Sequence, residues 1–367
     1  MGEHDTNGFF SGFNPLQNIT SMSDLELQRF QEECRGPPPS AKEIVSSMGS
    51  THLVVHLVLI VMAFTTLAIF IEEIFYLRSK IRKNYRRRRM SVLQAGIPPI
   101  FTLTAVVGTF FPRGNLMIDF VCSIYFGFAM HALLNLMVNY YGGITAMLKR
   151  LRDVRVKIST PPVCCCCRCL PEVPMTRKTF KYLYCLTFQA AASRPVVLFF
   201  RGVFVLDPTF SINELIFTVV LAISMLTGMW ALIILRGVSS TVLSHFNITA
   251  KFFCFQAVLL ISNIQPFVLK LASLPCVLPY TTRGRIITVN YQIIIVEFFL
   301  LSLVMRCLYR TKGDADNLEE VEKRKERKIQ NSATKTTLVS DASAIEMEKL
   351  MPDSKTNGNG VHIVENV

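Results

Sequence analysis

The sequence predicts an all-α membrane protein with seven transmembrane helices, an N-terminus outside the cell and a cytosolic C-terminus. Of the 367 residues, 51% are hydrophobic and only 18% are charged, which is more apolar than a soluble domain of this length. Seven apolar runs approach or exceed the length of about 20 residues that a helix needs to cross a bilayer. Basic residues are concentrated in alternate connections between these runs, which fixes the predicted orientation.

The seven predicted spans are continuous apolar segments without the alternation of a β-barrel strand, so they are predicted to be helices. They cover residues 52–77, 93–111, 117–140, 180–206, 214–235, 252–274 and 287–308. The second span contains Pro98, Pro99 and Gly108 and is the least regular. Residues 1–50 are polar and lack the apolar segment of a secretory signal peptide, so we expect the first span to direct its own insertion.

The charge of the connections predicts which side each one occupies. Between Arg78 and Arg89 there are eight basic residues and no acid, and the connection 141–179 is also basic. The positive-inside rule puts both in the cytosol. The chain then divides into an extracellular segment 1–50, a membrane domain 51–310 and a largely disordered cytosolic tail 311–367. Asn18 begins a glycosylation sequon in the extracellular segment, so we predict that it is glycosylated.

The eleven cysteines separate by predicted compartment. Five of them form a run in the cytosolic connection: Cys164, Cys165, Cys166, Cys167 and Cys169. Adjacent cysteines point apart and do not easily fill one metal shell, so thioester acylation is favoured over a metal site, with an unmodified run as the third possibility. Cys34 and Cys276 are the two cysteines in clearly extracellular segments, and we predict a disulfide between them.

Two arginines inside the fourth span are the main functional signal, because an ionisable residue in a span is costly to insert. Arg194 lies near the middle of the span, and Arg201 follows seven residues later on the same helix face. Two cations that face a membrane cavity would attract an organic anion. The structural alternatives are an ion pair between Arg194 and Glu297 of the seventh span, and extension of Arg201 to the outer surface.

Other polar residues in the spans have two interpretations. His131, Asn135 and Asn139 repeat every four residues and form a polar stripe, which either lines a pathway or hydrogen-bonds neighbouring helices. The sixth helix is expected to break at Asn263, Gln265 and Pro266. A break at membrane depth is tolerated where the broken segment lines a cavity. Glu72 and Glu73 close the first span, and we expect them to pair with the basic connection that follows.

Enzyme chemistry is not predicted. The sequence has no nucleophile elbow, phosphate-binding loop, dinucleotide fingerprint or HExxH motif, and its histidines are scattered. We expect no cofactor and no metal. The net charge of +13 lies mainly on the predicted cytosolic side, where topology and attraction to anionic lipid headgroups explain it without nucleic acid.

Several short motifs in this span order resemble one family, the alpha subunits of the organic solute transporter, over about residues 50–310. The cysteine run that ends at Pro171 is specific only together with this span order, and no single motif is specific alone. The others are Ile69–Glu73, Tyr141–Gly143, Leu151–Asp153, Phe188–Gln189 before Arg194, Gln265–Pro266, Glu297 and Tyr309–Arg310.

The resemblance implies a function that the pattern of residues alone does not give. It implies sodium-independent, bidirectional, facilitated transport of bile acids and steroid conjugates, together with a single-span beta subunit. It also implies location in the plasma membrane, basolateral in epithelia, and in the endoplasmic reticulum during assembly. A seven-helix receptor and a lipid-anchored scaffold are the alternatives. The candidate substrate-binding residues are Arg194, Arg201, Gln189, His131, Asn135, Asn263, Gln265 and Glu297.

Overall fold

The computed structural model describes residues 34, 36, 38–46, 49–82, 84–158, 172–206, 214–272, 281–310, 320–324, 326–327 and 329–331. Seven segments in these ranges are helical and are long and apolar enough to cross a membrane. The predicted all-α fold with seven spans is therefore confirmed, and the orientation of its termini stays a prediction. The chain divides into two units at Leu318, and the described residues of the second unit are helical.

The bundle contains ten described helices. They are α1 (Ala41–Ser46), α2 (Ser50–Lys80), α3 (Tyr85–Ala95), α4 (Ile97–Phe110), α5 (Asn115–Tyr140), α6 (Ile144–Arg150), α7 (Arg177–Leu206), α8 (Glu214–Ser239), α9 (Ile248–Leu271) and α10 (Thr282–Tyr309). Two short strands, β1 (Arg155–Lys157) and β2 (Glu172–Pro174), pair antiparallel between α6 and α7. The spans correspond to α2, α3 with α4, α5, α7, α8, α9 and α10.

The second span is two helices joined at Gly96, and it begins earlier than predicted. The arginine-rich segment that was predicted to be a loop is helical, because arginine favours helix and the side chain of Asn84 caps it by accepting a hydrogen bond from the Arg87 amide at 3.1 Å. Pro98 and Pro99 lie in the first turn of α4, where proline is tolerated.

The predicted break in the sixth span is wrong, since α9 is continuous through Pro266. A proline removes one backbone hydrogen bond, and the neighbouring turns of the helix keep theirs. Ser262 and Asn263 donate side-chain hydrogen bonds to carbonyls one turn back, at 2.7 and 2.8 Å, and so remain within the helix. α7 likewise continues through Pro195.

α5 runs through the core of the bundle. Its side chains Leu133, Leu136 and Met137 are fully buried. α5 packs against α3 and α7, while α4 packs mainly against α10 and α7 against α8. The aromatic pair Phe126–Phe255, with ring centroids 4.8 Å apart, joins α5 to α9. These contacts fix the helices that surround the cavity described next.

Glycines allow three of these helices to approach closely. A Cβ atom at Gly127 of α5 would lie 2.7 Å from the backbone oxygen of Ala191 on α7. A Cβ atom at Gly228 of α8 would overlap the Cβ of Ala190 on α7. Small residues at such contacts are typical of membrane helices, which pack without a hydrophobic drive between them.

Candidate functional site: a cationic cavity

A cavity of about 1260 Å³ lies inside the bundle, between α5 and α7–α10. It occupies the half in which α5 and α10 begin and α7 and α9 end. This half is predicted to face outside. The residues that line it are Cys34, Asn115, Asp119, Arg194, Leu198, Arg201, Thr218, Leu221, Ala222, Met225, Leu226, Ser262, Asn263, Pro266, Lys270, Thr282, Arg283, Ile286, Ile287 and Asn290.

Four of the lining side chains are cationic and one is acidic. Arg194 and Arg201 come from α7, Lys270 from the end of α9 and Arg283 from the start of α10. Asp119 on α5 is the acidic residue among the described lining residues. The seven-residue spacing on α7 puts both arginines on one face, as predicted, and the adjoining helices add the two further cations.

Arg194 lies at the inner end of this cavity. Its Nε donates a hydrogen bond to the Ser123 hydroxyl at 3.1 Å, and Nη1 contacts the Met225 sulfur at 3.7 Å. The guanidinium carbon lies 6.0 Å from the centroid of the Phe126 ring. Among the described atoms, Nη2 has no hydrogen-bond acceptor. The guanidinium is therefore held in place on one side and can still donate on the other.

Below Arg194 the cavity narrows to a small extension of about 60 Å³. Aromatic and polar side chains close it: Tyr291 donates a hydrogen bond to Asn115 at 2.6 Å, and Thr104 lies 3.2 Å from the Cys122 sulfur. Asp119 and Arg194 line both parts. The narrow part is too small for a solute, so a bound solute would lie in the wide part.

The walls of the wide part are largely apolar. Leu198, Leu221, Leu226, Ile286 and Ile287 lie between the cationic side chains. Apolar walls with a few charged groups are typical of ligand sites, where the walls take the body of the ligand and the charges fix its orientation. The cavity is thus suited to a molecule with an apolar body and an anionic group.

Comparison with known proteins agrees with this geometry. Residues 55–313 match the sequence model of the family described as organic solute transporter Ostalpha. This chain belongs to that family.

Relatives in distant animals cover most of the chain. The organic solute transporter subunit alpha of Leucoraja erinaceus is 30% identical over 312 residues, which are 81% of this chain and 88% of the relative. The subunit alpha of Homo sapiens is 28% identical over 292 residues, 76% and 85% of the two chains. The organic solute transporter alpha-like protein of Drosophila melanogaster is 22% identical over 330 residues, 85% and 96% of the two chains. No solved structure gives a significant match.

Membership of the organic solute transporter alpha family confirms the resemblance seen in the sequence. Together with the seven spans, it makes this protein a multi-pass membrane protein with a role in transport. Its relatives are named as transporter subunits, so the prediction that it is not an enzyme is confirmed as well.

Of the predicted substrate-binding residues, the structure places three on the cavity: Arg194, Arg201 and Asn263. Glu297 is not the partner of Arg194, because no ion pair or hydrogen bond joins these two side chains and the described contacts of Arg194 are with Ser123 and Met225. The charged group that faces Arg194 is Asp119, which the sequence analysis did not select. The ion pair considered between Arg194 and Glu297 is therefore not formed.

Of the other predicted residues, His131, Asn135 and Gln189 lie in contacts within or between helices. His131 is 3.2 Å from the Tyr184 hydroxyl, and Asn135 donates to the His131 carbonyl of its own helix. Gln189 donates to the Ser224 hydroxyl at 3.0 Å. The amide of Gln265 is buried without a hydrogen-bond partner among the described residues. A role of these residues in substrate binding stays a prediction.

At the opposite end of the bundle, charged residues are paired. Glu72 accepts hydrogen bonds from Arg306 at 2.8 Å and Arg310 at 2.7 Å, and Glu73 accepts one from Arg310 at 3.1 Å. The predicted pairing of the two glutamates with the basic connection is wrong, because the end of α10 packs beside α2 and supplies both arginines. These pairs join the first and last spans.

Arg87 of the basic segment is fully buried and turns inward instead. Its Nε donates to the Asn139 side chain at 2.8 Å, and its guanidinium carbon lies 4.9 Å from the centroid of the Tyr140 ring. Lys251 of α9, also buried, donates to the Tyr140 hydroxyl at 3.0 Å. Asn139 of the predicted polar stripe thus connects α5 to α3, and Tyr140 connects α5 to α9.

The predicted modification sites lie mostly outside the described residues. Asn18, the cysteine run 164–169 and Cys276 belong to this group. Cys34 is disulfide-bonded and lines the cavity, and its pairing with Cys276 stays a prediction. Among the described residues, no group of three or more His, Cys, Asp and Glu side chains could hold a metal ion.

Proposed function

We propose that this protein is the alpha subunit of a facilitative transporter of amphipathic organic anions, namely bile acids and conjugated steroids. The cavity carries the proposal. Its four cationic side chains lie among apolar walls, and for Arg194, in the middle of its span, the cost of inserting a charge favours a functional explanation. Ligand sites for drug-sized molecules occupy about 300–1000 Å³, so a cavity of about 1260 Å³ accommodates a steroid nucleus with its conjugate.

The mode of transport is proposed from the family. We infer that flux is sodium-independent and bidirectional and follows the substrate gradient, as the family resemblance implies. The relatives are named subunit alpha, which is consistent with a second subunit, and we propose a single-span beta subunit as that partner. The site of function is the plasma membrane, basolateral in epithelia, after assembly in the endoplasmic reticulum.

The proposed orientation places the cavity on the extracellular side. The basic connections then face the cytosol, and the acylated cysteine run would hold its connection to the inner leaflet. Glycosylation of Asn18 and a disulfide between Cys34 and Cys276 belong to the same orientation. The disulfide at Cys34 supports it, since disulfides persist outside the reducing cytosol.

Uptake measurements test the proposal. Cells that express this chain with and without a beta subunit are given labelled taurocholate or labelled estrone sulfate, in sodium and in sodium-free medium. Uptake that needs both chains, is equal in both media and reverses when preloaded cells are diluted is the expected result.

Surface biotinylation supplies the control for expression. Absence of flux with both chains at the surface would contradict the transporter proposal. Ligand-dependent G-protein activation without flux would instead identify a seven-helix receptor. Normal partner binding without flux would identify a scaffold.

A further inference from the structure

We propose that Asp119 tunes the charge selectivity of the cavity: it weakens the binding of anions in proportion to their negative charge, and so opposes the advantage that the four cations give to dianions. The inference rests on the proposed function and makes it narrower, since it concerns how strongly organic anions of different charge bind. Neither the sequence motifs nor the two arginines on one face of α7 point to Asp119.

Asp119 faces the cavity and its cations. It lies near the start of α5, its side chain is exposed, and it lines both the wide part of the cavity and the narrow extension. Its charged neighbours are Arg194 and Arg201 on α7 and Lys270 on α9. Its exposed surface is therefore exposure to the cavity, at the place where the anionic group of a solute would meet Arg194.

Asp119 is not the partner of a structural ion pair. Among the described residues it makes no hydrogen bond and has no cationic nitrogen within 4.0 Å. At the other end of the bundle, by contrast, Glu72 and Glu73 bind arginines directly, at 2.7–3.1 Å. A carboxylate in a span without such a partner is costly, and a function in the cavity explains why it is there.

The neighbouring turns of α5 explain why Asp119 remains unpaired. Asn115, one turn before it, accepts the hydrogen bond of Tyr291 at 2.6 Å. Ser123, one turn after it, accepts the hydrogen bond of Arg194 at 3.1 Å. The nearest arginine is thus held by a neutral hydroxyl, and the carboxylate and the free Nη2 of Arg194 both face the space that a solute would occupy.

The consequence is electrostatic and scales with the charge of the ligand. For two unit charges about 8 Å apart at an effective dielectric constant of about 40, repulsion weakens binding roughly fivefold. A ligand with two negative charges is repelled twice as strongly, so its binding weakens by the square of that factor, roughly 25-fold. A neutral ligand is unaffected. This dependence on charge distinguishes selection by Asp119 from a role in folding.

The experiment uses three ligands with one skeleton: estrone, estrone sulfate and estrone phosphate. At pH 8 they carry no charge, one negative charge and two, because the second pKa of a phosphate ester is about 6. Their dissociation constants are measured on the purified full-length chain, assembled with its beta subunit in neutral-lipid nanodiscs. We expect Asp119→Asn to tighten the binding of estrone sulfate roughly fivefold and that of estrone phosphate roughly 25-fold, and to leave the binding of estrone unchanged.

A second variant moves the charge in the opposite direction and covers the case in which Asp119→Asn does not fold. Asn290 lines the same two parts of the cavity, and its Oδ1 has no hydrogen-bond partner among the described residues. Asn290→Asp has the same shape and adds a second carboxylate. It should weaken the binding of estrone sulfate and weaken that of estrone phosphate more. The double variant Asp119→Asn with Asn290→Asp should return toward the wild-type dissociation constants.

The outcomes separate this inference from the proposed function. Suppose that the wild type binds both anions, but that the variants change the dissociation constants of all three ligands equally or change none of them. That result would overturn charge selection by Asp119 and leave the transporter proposal in place. If the wild type binds neither anion, the proposed function fails and the inference fails with it.

Discussion

Replacing Arg194 with methionine tests whether the cavity recognises an anion. The substitution keeps most of the length of the side chain and removes its charge. It also removes the free Nη2 donor, which the structure leaves facing the cavity. A hydrogen bond to a charged group contributes about 1.5–3 kcal/mol. Since each 1.36 kcal/mol is tenfold, anion affinity should fall roughly 10- to 150-fold.

The cost of this substitution to the fold should be smaller. Arg194 donates one hydrogen bond to a neutral hydroxyl and contacts one sulfur atom, and methionine keeps the apolar contact with Met225. A hydrogen bond from a charged donor contributes about 1.5–3 kcal/mol, but removing the charge from the span offsets this loss because an ionised side chain is costly to insert. The variant should therefore reach the cell surface in nearly normal amounts, which separates loss of binding from loss of protein.

The assay is uptake of estrone sulfate over a range of concentrations, divided by the amount of protein at the surface. Below the KM, uptake should fall in proportion to affinity. Arg236→Met is the matched control, because Arg236 is also in a span but lies over the rings of Phe252 and Phe253 at 5.4 Å and does not line the cavity. Uptake by Arg194→Met that equals the wild type, at equal surface amounts, would refute the assignment.

Two further predictions concern stability, measured as thermal unfolding in detergent. Gly228→Ala would make a Cβ overlap that of Ala190, so overpacking should lower the free energy of unfolding by about 1–3 kcal/mol. Gly237→Ala is the control, because a Cβ there meets nothing within 4 Å and should cost nothing. Equal melting temperatures for the two variants would contradict the close contact of α7 and α8. Glu73→Gln should lower the free energy of unfolding by about 1–3 kcal/mol, because Glu73 is 3% exposed and bonded to Arg310. Glu72→Gln should lower it less, because water screens its half-exposed carboxylate. The reverse order would be evidence against these ion pairs.

The spans could be predicted because the membrane imposes a simple rule on each segment separately. A run of about 20 apolar residues is helical wherever its neighbours lie, since every backbone group must be bonded within the segment. The position of Arg194 and Arg201 on one face follows from helix geometry in the same way. Both predictions need only local information, and the structure agrees with both.

The rest of the cavity depends on which helices surround it, and the hydropathy of the sequence does not contain that information. Lys270 and Arg283 lie near the ends of their helices, where a cation is ordinarily explained by extension to the membrane surface. Only the arrangement of α9 and α10 around the cavity brings them to the same cavity as Arg194. Glu297 is the acid that the sequence suggests as a partner of Arg194, because it lies in the middle of a span. The acid that faces the arginine is Asp119.

The two ends of the bundle treat charge differently, and this difference bears on function. Where α2 and α10 end, Glu73 and Arg310 are bonded to each other, whereas in the cavity Asp119 and Arg194 are not. For the proposed transporter, the pairs at this end are candidates for contacts that open when a solute crosses. A Glu73 variant that binds anions normally but changes their flux, at an equal amount of protein at the surface, would support that role, and unchanged flux would contradict it.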